Sequence, residues 1–206
     1  ITETSSVLKG NQVLQDSTDK LSLSTADDLT INGVQVGSTD TAILKASIDA
    51  GDLATAINAV SDETNVTASA ETVVIVNLTM GAAQTAGTTT ATAAEFRLNG
   101  VTSSTLSAGQ TTSEMVSVIN SLSTTMSMGI VATLNSATSI KLTDASGGNI
   151  TLFDNATAID SIQHDDGSFV TITGVSSTAV GASAHTFGGR LTLTNTAGGG
   201  VELGYD

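Results

Sequence analysis

The chain has 206 residues, 39% hydrophobic but only 2% aromatic, and a net charge of -14. That length holds one large or two small domains, and a mean hydropathy of +0.21 argues against wholesale disorder. The cations Lys9, Lys20, Lys45, Arg97, Lys141 and Arg190 stand singly, which excludes a nucleic-acid surface built on clustered positive charge and stacking rings.

Cysteine is absent, so disulfides and thiolate metal sites are excluded. The longest apolar run, Val73-Val74-Ile75-Val76, falls far short of the roughly 20 residues of a membrane helix. The chain opens at Ile1 in mid-pattern, as expected of a piece of something longer. With 35 Thr and 25 Ser and no Pro, the composition leans to β structure, because Thr and Val suit pleated surfaces while Ser and Gly suit turns.

In chain order, Leu21-Ser22-Leu23-Ser24 alternates as a first strand within residues 1–28. Leu29-Thr30-Ile31 then meets Asn32-Gly33, a dipeptide suited to the positive φ angles of a two-residue hairpin turn, and Val34 and Val36 continue beyond it. An extended piece is expected from Ile43 to Ile48. Asp52 reads as a helix N-cap, followed by an apolar stripe of Leu53, Ala56, Ile57 and Val60 that stops near Ser61-Asp62. Val66 to Ala70 and Val73 to Thr79 read as a strand pair.

The pattern then returns. After a Gly-, Ala- and Thr-rich stretch that reads as a linker, Phe96-Arg97-Leu98 leads into Asn99-Gly100. Thr111-Thr112-Ser113-Glu114 fits a capping box, and Met115, Val118, Ile119 and Leu122 form a second stripe. Ile130 to Leu134 and Ile140 to Thr143 close the copy as strands. Beyond residue 145 the helical period disappears. Ser168 to Thr173 and Arg190 to Thr194 alternate, and Gly198-Gly199-Gly200 separates the latter from Val201-Glu202-Leu203. The need to cover strand edges suggests that this tail pairs with residues 1–28 as a shared stem.

The expected fold class is therefore α+β and β-rich: two β-β-α-β-β units, residues 29–80 and 96–145, joined by a linker at 81–95 and flanked by antiparallel structure from 1–28 and 146–206. Each unit is about fifty residues and marginal alone, so its helix should cover one face of its sheet.

The duplicated unit resembles the flagellin hook IN motif, in which a strand-turn of Ile-Asn-Gly type is followed by a helix ending in Ile-Asn. The matching residues are Ile31, Asn32 and Gly33 with Ile57 and Asn58, and Leu98, Asn99 and Gly100 with Ile119 and Asn120. The resemblance implies a surface-exposed, antigenic, hypervariable outer region of a flagellar filament subunit, extracellular and serving motility. It implies assembly with other copies of the parent through core helices that this chain does not show, so the chain itself is expected to be monomeric. A hook-associated cap or junction protein is the alternative parent. A secreted β-rich adhesin or glycan-binding module is the second alternative, disfavoured by the scarcity of aromatic platforms.

No cofactor, metal or enzymatic activity is expected. His164-Asp165-Asp166-Gly167 could ligate a cation but reads first as an acidic turn. Ser146-Gly147-Gly148-Asn149 to Asp154 reads as a hairpin turn rather than a calcium repeat. His185 has no nucleophile signature beside it, and abundant hydroxyls make accidental triad partners uninformative. Asn-x-Ser/Thr patterns at Asn65, Asn77, Asn149 and Asn155 read as accidental. Outer domains of flagellins carry O-linked glycans, which makes Thr88, Thr89 and Thr90 a candidate acceptor stretch beside their plainer reading as an unmodified linker.

Overall fold

Strict alternation of small aliphatics with Thr and Ser sets the strands of this chain, and the two stripes of helical period set its long helices. The computed structural model describes residues 6–8, 13–14, 29–36, 49–78, 96–102, 110–154, 159–164, 169–170 and 185–205. The expected strand at Leu21 to Ser24, the piece at Ile43 to Ile48, the linker at 81–95 with Thr88, Thr89 and Thr90, and Asn155 lie outside those residues.

The elements open with β1 (Ser6–Leu8), β2 (Val13–Leu14), β3 (Leu29–Ile31) and β4 (Val34–Gln35). Next come α1 (Ala50–Ala59), the single turn α2 (Ser61–Thr64) and the long strand β5 (Val66–Leu78). The middle of the chain holds β6 (Phe96–Leu98), β7 (Val101–Thr102), α3 (Thr112–Thr125), β8 (Ile130–Ser136) and β9 (Ser139–Asp144). It closes with β10 (Ile150–Asp154), β11 (Ile159–His164), β12 (Phe169–Val170), β13 (His185–Phe187), β14 (Arg190–Asn195) and β15 (Leu203–Tyr205). The fold is α+β and β-rich, with antiparallel pairing.

The chain divides into two compact units. The first takes residues 1–72, 145–149 and 188–206. Within it β3 pairs with β4 across the Asn32-Gly33 turn and with β15 on its other side. β14 lies between β1 and the first half of β5. Ser6 to Leu8 pair with Leu191 to Leu193. The other ladders of the tail go to β3 and β5. The core holds Ile31, Val36, Ala54, Ala56, Ile57, Val66, Leu191 and Leu193. Full burial of an Ile or Leu contributes about 1.5–3 kcal/mol.

The second unit takes residues 73–144 and 150–187. Here β6 pairs with β7 across the Asn99-Gly100 turn and with β10, and β10 pairs with β13. β8 and β9 form a hairpin, and β9 also pairs with β5. The second half of β5 pairs with β11, which pairs with β12. Helix α3 packs on β8 and β9 through Met115 and Ile119. Around them lie Val74, Val76, Leu98, Ile140, Leu142, Ile150, Leu152, Ile162 and the fully buried Phe187.

Two sequence expectations are corrected. Asp52 is not the N-cap of α1. Asp49 is: its carboxylate accepts from the Asp52 amide at 2.8 Å, while Asp52 reaches back to the Asp49 amide. The box is an Asp–Asp version of the Thr111–Glu114 box. The strand pair expected at 66–70 and 73–79 is a single strand. Nothing in Ala70-Glu71-Thr72 forces a turn, and the even-numbered residues keep facing inward from Val66 through Thr72 to Leu78. The second copy does show the expected order, with its closing turn at Ala137-Thr138.

The box at α3 forms as the sequence suggests. Thr111 Oγ1 accepts from the Glu114 amide, and Glu114 accepts from the Thr111 amide at 2.7 Å. The Thr111 hydroxyl also donates to the Glu114 carboxylate at 2.9 Å. The bond from the Thr111 backbone amide first, and this one second, hold the Glu114 pKa below its ordinary value of 4.5. A depressed pKa gives stability that is present above the unfolded value and is lost as pH falls through the folded one. Replacing Thr111 with Ala is expected to cost about 1 kcal/mol at neutral pH. The difference from the parent should narrow in urea titrations below the carboxylate range.

Candidate functional site

The residues that sequence reasoning singled out form two sets of backbone clamps. Asn32 and Asn99 have φ of 50° and 47°, and Gly33 and Gly100 have φ of 78° and 80°. These are the left-handed conformations that a two-residue hairpin turn with the right twist requires. Asn tolerates the first position and Gly the second at little cost.

Each turn asparagine also grips a third strand. The Asn32 amide donates to the Glu202 carbonyl, and its Oδ1 accepts from the Glu202 amide, both at 2.9 Å. The Asn99 amide donates to the Thr151 carbonyl at 2.8 Å, and its Oδ1 accepts from the Thr151 amide at 2.7 Å. The register is the same in both places. Ile31 faces Leu203 one step before Asn32 meets Glu202, and Leu98 faces Leu152 one step before Asn99 meets Thr151. The asparagine thus extends the ladder by one pair into the turn. Asn32 Nδ2 makes one bond more, to the carbonyl of Thr64 at 2.8 Å.

Asn58, at the end of α1, and Asn120, inside α3 and five residues before its last residue, form the second set. Asn58 Nδ2 donates to the Ala68 carbonyl at 2.8 Å, and its Oδ1 accepts from the Ala68 amide at 2.7 Å. Asn120 does the same to Ala132, at 2.9 Å and 2.7 Å. A primary amide presents its carbonyl and N–H side by side, so it pairs with one strand residue as a neighbouring strand would. The isoleucines before them, Ile57 and Ile119, are buried in the two cores and fix the helix rotation that aims each amide. The sequence flagged all four asparagines, but their partners Glu202, Thr151, Ala68 and Ala132 carried no signal of their own.

Of the sites weighed for chemistry, Asp165, Asp166 and Gly167 lie outside the described residues. Among the described residues no three His, Cys, Asp or Glu side chains lie close enough to hold a metal ion, and no helix is long and apolar enough to cross a membrane. His164 ends β11 and His185 begins β13. Asn77 is tied to Ser161 Oγ within the β5–β11 pair at 3.0 Å, and Asn65 adopts a left-handed conformation whose carbonyl accepts from Thr196.

Residues 28–83 match the family model described as the flagellin hook IN motif. No curated protein matches the chain. The matched segment holds Asn32 and Asn58, and the clamps they make are those made again by Asn99 and Asn120. Over residues 28–83 the chain carries a flagellin hook IN motif and is, through that segment, flagellin-related.

Proposed function

We propose that this chain is the outer, surface-exposed region of a flagellar filament subunit, with a structural and non-catalytic role. The observation that carries the reading is the repetition of both clamps: Asn99 and Asn120, outside the matched segment, make the same paired hydrogen bonds as Asn32 and Asn58 inside it. On this reading residues 29–80 and 96–145 are two IN-type units, 81–95 is the linker between them, and 1–28 with 146–206 flank them. The clamps then serve to build hydrophilic, acidic modules that a filament core displays to the medium. The net charge of -14 favours solubility and repulsion between neighbouring surfaces. O-linked glycans on Thr88, Thr89 and Thr90 belong to the same proposal, and intact-mass analysis of the native protein tests them.

The test of the main reading is immunogold labelling of the source cells with antibody raised to this chain. Label along whole filaments is the expected result. Label confined to the filament tip or the hook junction makes the parent a hook-associated protein. Absence of label from every flagellum overturns the reading and favours a secreted adhesin.

A further inference from the structure

Strand β8 has a composition that invites pairing. Ile130 to Ser136 carries no charge, in a chain of net charge -14. Val131 is 55% exposed and Leu134 54% exposed. Among the described residues β8 pairs with β9 alone, so its second edge is turned away from the sheet. An uncharged edge with exposed aliphatics, lacking Pro, Lys or Glu, is what soluble proteins normally avoid.

The ladder fixes which backbone groups face that edge. Ala132 stands opposite Leu142, and its N–H and carbonyl both go to Asn120. In an antiparallel pair such groups alternate, so Ile130 and Leu134 present theirs on the same side as Ala132. A second copy of β8, related by a two-fold axis at Ala132, would set Ala132 against Ala132 and Ile130 against Leu134. Val131 would then face Thr133. All outward groups would be matched, no like charges would be opposed, and the contact would be a closed, self-complementary dimer interface. The central pair of that register is the one Asn120 occupies.

We propose that Asn120 guards this edge: its amide stands in for the incoming strand at Ala132 and keeps β8 from pairing with β8 of a second copy. The guard is a side chain on α3, held in place by the buried Ile119 beside it. It blocks the edge without placing a charge on the strand.

The experiment is sedimentation equilibrium of the full chain and of Asn120→Ala over a range of concentrations. Self-association of the variant should be tighter than that of the parent by about tenfold, the factor that one lost bidentate block implies. The double variant Asn120→Ala with Thr133→Lys puts like charges across the dimer axis and should return association to the parent level. Where Asn120→Ala does not fold, Asn120→Gln carries the test, because it keeps an amide but moves it by one methylene. Association equal to that of the parent in the folded variant overturns the proposal. So does tighter association that Thr133→Lys leaves unchanged, since the contact then lies elsewhere.

Discussion

Phe187→Ala is expected to lower stability by about 3–5 kcal/mol and to open the core of the second unit. Phe187 is fully buried at the end of β13, where its backbone pairs with Ile150. The other fully buried side chains of that core are aliphatic, among them Leu98, Met115, Ile119, Ile140, Leu142, Ile150 and Leu152. Removing the ring leaves a void that smaller neighbours on separate strands cannot fill without moving their ladders, so relaxation recovers little of the loss. Urea unfolding followed by amide exchange measures the effect. Fast exchange should appear at β8, β9 and β10. A loss below about 1 kcal/mol would mean that the core collapses onto the site with little cost.

Much of this architecture was legible from the sequence because its signals are local. Asn-Gly fixes a turn by φ alone, and the two apolar stripes fix which helix face is buried. The capping box at Thr111 is legible because Thr and Glu are the usual pair. The one at Asp49 was misplaced by three residues because both of its members are Asp and either can serve as the cap. The unbroken strand at Val66 to Leu78 was readable in principle. Its inward positions keep one parity through Glu71-Thr72, and a turn would have needed Gly, Asn or Pro.

What the sequence could not reveal is non-local. Glu202 lies 170 residues from Asn32, and Thr151 lies 52 from Asn99, and nothing in either residue marks it as the partner of a turn. The two turns also take their third strands from very different distances along the chain. The second finds β10 soon after its own copy ends, whereas the first waits for β15 near residue 205. Loop length costs little in closure entropy, so both solutions are accessible, and periodicity cannot choose between them.

Gly147→Ala should cost about 2–6 kcal/mol, the sum of two independent penalties. Gly147 has φ of 80°, a conformation that costs an L-residue about 1–3 kcal/mol. A methyl there would also overlap the Ala70 side chain and stand 3.0 Å from the Gly51 amide nitrogen, an overpacking penalty of about 1–3 kcal/mol. The surroundings have little room to yield. A Cβ on Gly51 would collide with the Ser146 carbonyl, and one on Gly189 would sit 2.6 Å from Thr72 Oγ1 and 2.8 Å from the Gly147 carbonyl. Two backbone segments, at 146–147 and at Gly189, therefore meet the first turn of α1 at glycine-only separations. Among the described residues Thr72 Oγ1 is buried without a hydrogen-bond partner. Thr72→Val, which swaps that hydroxyl for a methyl of like shape, should leave stability unchanged or raise it by about 1 kcal/mol. The two variants separate backbone approach from side-chain polarity at one junction. A stable Gly147→Ala would show that Ala70 can give way, and a strongly destabilised Thr72→Val would show that the hydroxyl has a partner in solution, with water the natural one.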